Sequence, residues 1–466
     1  MAIRTRTFIL ILVVATVACQ SVNNMNQPGQ QVENKSLSHS IQRATYTSPP
    51  ATSTSTPVPA TPTQIPPTPT TPWTATPTAV NGDADLQQSV FKALWGAIQQ
   101  DYLYTDYNGL DWDQIFLDYS ALIQGGLSDP AFYQSMGELV ERLADDHSVF
   151  LTPMEARDED AEYSGENDFV GIGILTSFVP ERSRITIIVV FPNSPADLAG
   201  IQPHDSILAV DGVPIVGEEG VRRSLLRGPE GSSLELTLQT PGEEPRQVTV
   251  TRQRVTGPVP IISKELTTLR GKSIGYILLP TFSDQTVGDQ FKLVLENFLT
   301  NDRVEGLVID NRQNPGGADT VTRSILGHFI KGNVGYFVDR TVHKRAFNVL
   351  GADIHGSYNL PLVVLVGPNT ASFGEIFTGI LKDSRRAFII GEPTEGNIEL
   401  LWRYDFQDGS RAWIARETFR SLQNPDQDWE LTGIIPDQIV PSSWDEYTVD
   451  TDPAIKAALD YFDQNE

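Results

Sequence analysis

The sequence has a single cysteine, Cys19, so no disulfide can form within the chain. Positive charge is also scarce: 34 lysines and arginines stand against 59 aspartates and glutamates, a formal net charge of −25. This balance argues against nucleic acid or an anionic membrane surface as a partner and is typical of a solubilising acidic surface. Apolar runs long enough to span a membrane are absent. At 466 residues the chain is long enough for about three domains.

The first 19 residues have the pattern of a secretory signal. Two arginines precede an apolar run, Phe8–Val17, that is too short to form a stable membrane-spanning helix. Cys19 follows a small residue at the end of this run, which resembles the lipobox of bacterial lipoproteins, although Thr16 stands where leucine is commonest. We therefore expect a lipid anchor at Cys19 on the outer face of the bacterial cell membrane. A plain signal, cleaved or retained, is the alternative.

The next two segments differ sharply in composition. Residues 44–82 carry no charge and are rich in proline, threonine, serine and alanine, so we expect residues 20–83 to be a disordered, extended spacer. Apolar residues then recur at helical spacing, and they predict a helical domain over residues 84–160. The spacer would act as a stalk between the lipid anchor and the folded domains.

Residues 165–257 resemble a PDZ domain. The run Phe169–Ile174 is similar to its carboxylate-binding loop and ligand-pairing strand, and the segments Asn193–Ile201 and Asp205–Gly212 match its helix, turn and strand pattern. The resemblance implies that backbone N–H groups bind the terminal carboxylate of a protein or peptide. The residues that we expect to form this site are Val170, Gly171, Ile172 and Gly173. The alternative is a β-domain whose glycines serve only turns.

Short apolar strands and amphipathic helices alternate after Gly271. This pattern predicts right-handed βαβ units around a mostly parallel sheet, with a site at the carboxyl ends of the strands. We assign residues 258–445 to this α/β core and residues 446–466 to a C-terminal helix that packs on it. The predicted fold is therefore a multidomain α/β protein with a helical segment, a β-domain and a parallel core.

Two motifs lie where neighbouring strands of the core end. Thr370–Glu375 places Ser372 at the first turn of a helix, and Asp310–Gly317 ends in a Pro-Gly-Gly turn that can offer bare N–H groups. Together the motifs resemble the core of the C-terminal processing peptidases, the tail-specific and tricorn-type serine proteases with a ClpP/crotonase-like fold. The resemblance covers residues 85–445 and implies that Ser372 is a nucleophile. The donors for its oxyanion hole would be Gly316, Gly317 and Phe373.

The sequence indicates the general base less directly than the nucleophile. In the Ser-Lys branch of this family, a lysine follows the serine by 25 residues; Asn397 occupies that position here, and an amide cannot accept a proton from a hydroxyl near neutral pH. The tricorn-type branch uses a histidine from the segment before the PDZ domain. His147 stands in the matching turn, and Glu430 stands in a C-terminal motif resembling the one that supplies the carboxylate. A histidine base predicts activity that rises through pH ~6–7.

Alternatives to these assignments stay open. Asp145 or Asp146 could orient the histidine instead of Glu430, and His343 or His355 could replace it as the base. His147 could also be structural, since Ser-Lys members carry a histidine in a similar turn. The remaining histidines are expected in the spacer, in the PDZ turn and packed on a helix (His39, His204 and His328).

The sequence as a whole predicts a secreted, membrane-tethered serine endopeptidase. Its substrates would be proteins or peptides with free C-termini, and its only membrane contact would be the lipid anchor. Neither a cofactor nor a metal is expected, because the sequence shows no His, Asp or Glu cluster with ligand spacing. Two other functions remain: an inactive relative that binds peptides or serves as a scaffold, and an esterase-like or small-ligand-binding relative.

Overall fold

The computed structural model describes residues 82–145, 147–217 and 220–465. The expected signal, the lipidation site Cys19, the spacer up to residue 81, His39 and Asp146 lie outside the described residues. No helix in the described part of the chain is both long enough and apolar enough to cross a membrane.

The N-terminal domain is mainly helical and packs on its apolar residues. Its elements are α1 (Ala84–Asp101), α2 (Trp112–Ile123), α3 (Asp129–Glu141), β1 (Val149–Leu151) and α4 (Pro153–Ser164), with a short 3-10 helix at Tyr107–Gly109. Asp83 caps α1 by accepting the N–H groups of Asp85 and Leu86. Phe91, Leu94 and Ile98 recur on one face of α1 and are buried against α2 and α3.

The second domain is built from short antiparallel strands. Its elements are β2 (Asn167–Gly171), β3 (Ile174–Val179), β4 (Arg184–Val190), α5 (Pro195–Leu198), β5 (Ser206–Val210), β6 (Val213–Pro214), β7 (Val216–Gly217), β8 (Gly220–Val221), β9 (Ser233–Gln239), β10 (Arg246–Thr251) and β11 (Gln253–Gly257), with 3-10 helices at Pro180–Arg182 and Arg223–Leu226. The main sheet has the order β10-β9-β5-β4-β3, and β6 pairs with β5. Strand β3 therefore lies at an edge of this sheet, where a further strand can pair with it.

The core contains a sheet of six strands with helices against it. Its first elements are β12 (Ile262–Thr267), β13 (Ser273–Leu278), α6 (Val287–Asn297), β14 (Gly306–Asp310), α7 (Asp319–Leu326), β15 (Gly332–Asp339), β16 (Lys344–Val349), β17 (Leu362–Val366), α8 (Phe373–Asp383) and β18 (Phe388–Gly391), with a π-turn at Phe298–Asp302 and a 3-10 helix at Ser357–Asn359. The remaining elements are β19 (Glu399–Asp405), β20 (Arg411–Ser421), α9 (Trp429–Thr432), β21 (Gln438–Ile439) and α10 (Pro453–Gln464).

The six-stranded sheet has the order β12-β13-β14-β17-β18-β21 and is parallel from β13 to β21. Alternate residues of its central strands pack against α6, α7 and α8 on one face and against α10 on the other. Because helices cover both faces of this sheet, its central strands need apolar side chains on both faces. The predicted mostly parallel sheet is confirmed, and the serine and Pro-Gly-Gly motifs both follow the carboxyl ends of its strands.

A second sheet joins the N-terminal domain to the core. It has the order β1-β20-β15-β16, with β19 paired to β20. Val149 of β1 lies opposite Trp413 of β20. Because β1 begins two residues after His147, this antiparallel pairing brings the histidine turn to the core.

Several element boundaries differ by a few residues from those that the sequence predicts. The apolar pattern predicts a helix over Thr320–Ile330, but α7 ends at Leu326. It predicts another over Val287–Leu299, but α6 ends at Asn297, where a π-turn begins. Strand β17 has the bounds that its apolar run predicts, Leu362–Val366. The apolar patterns continue past the helix ends because the turns that follow are themselves packed in the core, as the buried Phe298 and Phe329 show.

Candidate active site

Ser372 immediately precedes α8 and has an unusual backbone conformation. Its φ is 51° and its ψ is −125°, a region that residues with a side chain rarely adopt. The Ser372 N–H donates to the carbonyl oxygen of Asn397 at 2.6 Å. The residue is partly buried, and the Ser372 hydroxyl donates no hydrogen bond to the described residues. A strained serine at a strand-to-helix turn is typical of a nucleophile whose hydroxyl is presented to a substrate.

The Pro-Gly-Gly turn lies directly against Ser372. Gly316 has a φ of 100°, and a Cβ at this position would lie 2.7 Å from Ser372 Cβ and 3.0 Å from Phe373 N. Gly317 has a φ of 145°, and a Cβ there would lie 1.9 Å from the backbone of Phe282. Glycine is therefore required at both positions, first for the approach to the serine and then for the approach to the strand end after β13.

The three expected oxyanion donors are not equivalent. The Gly316 N–H already donates to Asn314 Oδ1 at 3.0 Å. The N–H groups of Gly317 and Phe373 have no acceptor among the described residues. The set predicted from the sequence is therefore reduced to two open donors, because the Asn314 side chain folds back onto the turn.

Glu375 supports the loop that lies next to Ser372, a role that the sequence did not reveal. Its buried carboxylate accepts the hydroxyl of Thr394, the N–H of Gly396 at 2.9 Å and the N–H of Asn397 at 2.7 Å. Burial raises the pKa of Glu375 to about 7, and these hydrogen bonds oppose the rise. Glu375 thereby fixes the position of the Asn397 carbonyl that accepts the Ser372 N–H.

His147 is held in its turn by Asp145. The Asp145 carboxylate accepts the N–H groups of His147 and Ser148 at 3.0 and 2.8 Å, and it also accepts the Ser148 hydroxyl at 2.7 Å. The Ser148 hydroxyl oxygen in turn accepts the N–H of Ala415 on β20 at 3.0 Å. Asp145, one of the open alternatives to Glu430, is therefore engaged with the backbone and does not hydrogen-bond the imidazole ring.

The ring of His147 faces two glutamates. Its Nε2 lies 2.8 Å from Glu430 Oε1 and 3.7 Å from Glu399 Oε2. The side chains of His147 and Glu399 are 5% and 1% exposed, and that of Glu430 is 18% exposed. His147 Nδ1 is buried and has no hydrogen-bond partner within the described part of the chain. Since the ionised Glu430 carboxylate can only accept a hydrogen bond, Nε2 carries the proton in the neutral ring and Nδ1 keeps the free lone pair.

This environment changes the basicity of His147. Burial by itself would lower the pKa, but the hydrogen bond with Glu430 and the charges of Glu399, Glu430 and Asp145 outweigh it and raise the pKa to about 9. Burial raises the pKa of Glu399 to about 7, with the charge of His147 opposing the rise. A histidine with this pKa would titrate above the pH 6–7 that an unperturbed imidazole predicts.

Hydrogen bonds connect the pair of His147 and Glu430 with Ser372. Glu430 Oε2 accepts the N–H of Ile398 at 2.8 Å, and Ile398 directly follows Asn397, whose carbonyl accepts the Ser372 N–H. The structure thus brings His147 and Glu430 to the loop beside Ser372. The His147 ring and the Ser372 hydroxyl do not hydrogen-bond each other in this structure.

The other described histidines have different surroundings. His204 stacks on Trp444 with ring centroids 3.9 Å apart, and His328 packs beside Phe291 while its Nδ1 contacts the carbonyl of Ala352. The predicted packing of His328 is therefore confirmed. The exposed alternatives, His343 and His355, contact no carboxylate of the Glu430 and Glu399 pair. Asn397 occupies the lysine position, and its side chain makes no hydrogen bond with the described residues.

His147, Glu399 and Glu430 are spaced closely enough to hold a metal ion. One ring nitrogen of the histidine and one carboxylate oxygen of each glutamate lie within 4.8 Å of one another. No sequence pattern predicts this set, because the three residues are far apart along the chain. Most of the polar atoms of these side chains already have protein partners: Nε2 of His147 pairs with Glu430, the second oxygen of Glu430 accepts the N–H of Ile398, and Oε1 of Glu399 accepts the hydroxyl of Tyr104. Oε2 of Glu399 has no hydrogen-bond partner among the described residues. The absence of a metal stays a prediction.

These features define a class of protein: a serine hydrolase whose nucleophile lies at a helix N-terminus of a mostly parallel α/β core, combined with an antiparallel β-domain. Comparison with protein families matches residues 273–440 to peptidase family S41, 186–240 to the PDZ domain and 85–141 to the tricorn protease C1 domain. The PDZ prediction is therefore confirmed.

Individual relatives extend the match over most of the chain. A carboxyl-terminal-processing protease of Picosynechococcus is 30% identical over 390 residues, which cover 82% of this chain and 90% of that protein. One from Synechocystis is 28% identical over 80% of this chain and 86% of the relative. The solved photosystem II D1 C-terminal processing protease is similar with a TM-score of 0.56 and 25% identity, over 80% of this chain and 97% of that one. The chain belongs to the carboxyl-terminal-processing protease family and is a serine-type peptidase with a PDZ domain.

Proposed function

We propose that the protein is an extracytoplasmic endopeptidase that cleaves proteins near their C-termini by acyl transfer from Ser372, with His147 as the general base. The observation that carries this proposal is the strained Ser372 backbone at the glycine turn, joined through Asn397 and Ile398 to the partly buried pair of His147 and Glu430. Strain of this kind costs of order 1–3 kcal/mol and persists where the surrounding structure holds it. A protein that only bound peptides would have no need of it.

The first half of the reaction follows from the site. The Ser372 hydroxyl oxygen attacks the scissile carbonyl carbon, and its proton passes to His147 Nδ1, the ring nitrogen that has no other partner among the described residues. Glu430 accepts the Nε2–H and stabilises the imidazolium that forms. The N–H groups of Gly317 and Phe373 donate to the oxyanion, and each such donor contributes about 3 kcal/mol.

Collapse of the tetrahedral intermediate breaks the carbon–nitrogen bond. The proton on Nδ1 of His147 goes to the leaving amine, and an acyl ester on Ser372 remains. Water then attacks the ester with His147 again taking a proton, and the serine is regenerated when the acid product leaves. Nδ1 must reach the serine hydroxyl once substrate is bound; hydrogen bonds of catalytic groups often form only in that complex.

The PDZ domain would hold the substrate C-terminus. The N–H groups of Ile172 and Gly173 have no acceptor among the described residues, and they precede the edge strand β3. A terminal carboxylate would accept these N–H groups while the peptide backbone pairs along β3. Protein and peptide substrates fit both this site and the family.

The location of the enzyme is also part of the proposal. The apolar run before Cys19 and the uncharged, proline-rich spacer support a lipid-anchored protein outside the cell membrane. Wild type should incorporate labelled palmitate and partition into detergent, while Cys19→Ser should not incorporate the label. Equal labelling of both proteins would exclude the lipid anchor.

Covalent labelling tests the catalytic part of the proposal. A fluorophosphonate probe should label wild type and fail to label Ser372→Ala, because the probe reacts with an activated serine. Hydrolysis of unstructured proteins should disappear in the same variant. If wild type is neither labelled nor active beyond the Ser372→Ala background, the chain is an inactive, peptide-binding member of the family.

A further inference from the structure

Glu399 is a second buried carboxylate beside the histidine of the active site. It begins β19 and lies opposite Thr418 of β20. Its side chain is 1% exposed, and its Oε2 is 3.7 Å from His147 Nε2 without a hydrogen-bond partner within the described part of the chain. A buried carboxylate oxygen without a donor is costly, so its position beside the imidazole requires an explanation.

The other oxygen of Glu399 is fixed by the N-terminal domain. The hydroxyl of Tyr104, in the segment after α1, donates to Glu399 Oε1. This hydrogen bond leaves Oε2 as the oxygen that faces His147. Three parts of the chain therefore meet at one imidazole: the N-terminal domain supplies Tyr104 and His147, β19 supplies Glu399, and α9 supplies Glu430.

The charged groups with the largest effect on His147 are acidic. They are Glu430 from α9, Glu399 from β19 and Asp145 from the turn before β1, with the Tyr104 hydroxyl next to Glu399. Asp145 is satisfied by backbone N–H groups, and Glu430 Oε2 by Ile398. Glu399 differs from both, because its Oε2 lies near the imidazole and has no hydrogen-bond partner among the described residues. Burial strengthens this interaction because little water screens it.

We propose that Glu399 is a positioning residue for His147 and works together with Glu430 as a pair of carboxylates around Nε2. Glu430 accepts the Nε2–H directly, and Glu399 approaches from 3.7 Å, so that the ring is held as the tautomer with Nδ1 free. When Nδ1 takes a proton, both carboxylates stabilise the cation. This inference rests on the proposed function of His147 as the base, and Tyr104 sets the orientation of Glu399.

The test replaces the carboxylate by an amide of the same shape. Glu399→Gln removes the charge beside His147, and Glu417→Gln is the matched control. Glu417 is also buried, lies on the neighbouring β20, and pairs with Arg345 and not with His147. Both variants are made in the Ser372→Ala background, in which no turnover interferes. The pKa of His147 is then measured by NMR of ¹³C-labelled histidine, with the signal assigned through a His147→Ala variant.

We expect Glu399→Gln to lower the pKa of His147 by roughly 1 unit or more, because a nearby opposite charge is lost. Glu417→Gln should leave it unchanged. Tyr104→Phe should shift the pKa in the same direction by less, since Glu399 loses the donor that orients it but keeps its charge. An unchanged His147 titration in Glu399→Gln would overturn the proposal, as would equal shifts in Glu399→Gln and Glu417→Gln.

Kinetic measurements on Glu399→Gln in a protein that retains Ser372 show whether catalysis depends on the interaction between Glu399 and His147. Glu399→Gln should move the acid limb of kcat/KM downward together with the NMR pKa and lower the plateau of kcat about 10-fold, which corresponds to one pKa unit of lost stabilisation. An unmoved acid limb alongside a shifted NMR pKa would overturn the positioning role. If wild type shows no Ser372-dependent hydrolysis, the proposed function fails, and the NMR titration still decides whether Glu399 acts on His147.

Discussion

His147 Nε2 lies 2.8 Å from Glu430 Oε1, although 283 positions separate the two residues along the chain. The histidine comes from the turn before β1, and the glutamate from the short helix α9 at the end of the core. Their contact depends on the pairing of β1 with β20, so the proposed catalytic site includes a residue of the N-terminal domain. The match to the family's peptidase domain, residues 273–440, contains Ser372 and Glu430 but not His147.

Ser372 and His147 should behave as a single catalytic unit. Ser372→Ala, His147→Ala and the double variant should all fall to the same residual rate, because each removes the same proton transfer and attack. The measurement is kcat/KM on an unstructured protein with a free C-terminus. Full activity of His147→Ala would contradict the assignment of His147 as the general base and would leave His343 or His355 as the candidate.

The activity should rise with pH toward a plateau reached above pH 9. His147 has a pKa of about 9, raised against its burial by Glu430, Glu399 and Asp145, so below that pH the ring is protonated and cannot accept the serine proton. The pH dependence of kcat/KM for the free enzyme measures this value. A limb near pH 6–7 would show that the ring is not paired with the carboxylates in solution.

Asn397 should contribute little through its side chain. Its carbonyl accepts the Ser372 N–H and its N–H donates to Glu375, and both backbone contacts survive in Asn397→Ala. We expect less than a ~100-fold loss of kcat, well below the ~10⁴-fold typical for a lost triad residue. Asn314→Ala is the comparison, since that side chain does hold the Gly316 N–H, and it should cost more. If Asn397→Ala lost as much kcat as Ser372→Ala, the Asn397 side chain would be essential and this prediction would be wrong.

The approach of Gly316 to the serine should be essential. In Gly316→Ala the new Cβ would lie 2.7 Å from Ser372 Cβ, so we expect a loss of roughly 100-fold or more in kcat from displacement of the nucleophile. Gly332→Ala is the matched control, because Gly332 has a similar φ of 99° and no atom lies within 4 Å of the position that its new methyl group would take. Both variants carry the backbone strain of a positive φ, and the steric clash is added only in Gly316→Ala. Thermal unfolding gives the stability of each, and at a temperature where both are folded only Gly316→Ala should lose activity.

Binding of C-termini should need both the carboxylate and Gly173. Peptides that end in an apolar residue with a free carboxylate should bind more tightly than their amidated forms, because the loop N–H groups need the anion. Gly173→Ala should weaken binding, since its Cβ would lie 2.2 Å from Ser194 Cβ. Gly200→Ala, at a φ of 73° with open space around it, should not. Equal affinity for free and amidated peptides would show that this domain does not read the terminus.

The sequence by itself determined the features that are local. The serine and Pro-Gly-Gly motifs, the alternating strands and helices and the PDZ pattern each lie within a short stretch, so spacing and residue type were enough to predict the domains, the parallel sheet and Ser372 beside a glycine turn. The replacement of the expected lysine by Asn397 was equally visible. Because an amide cannot act as the base, this replacement favours His147 as the base from the sequence alone.

Only the tertiary structure decided how the histidine is surrounded. Glu399 and Tyr104 carry no motif, and they meet His147 because β1 and β19 both pair with β20. Burial lowers the pKa of His147, and carboxylates from three separate parts of the chain more than offset that effect, a balance that no spacing along the chain reveals. The same holds for Gly316, whose N–H is taken by an Asn314 side chain that the sequence left free to point elsewhere. Local pattern determines which residues are available, whereas long-range packing determines the electrostatics of the site.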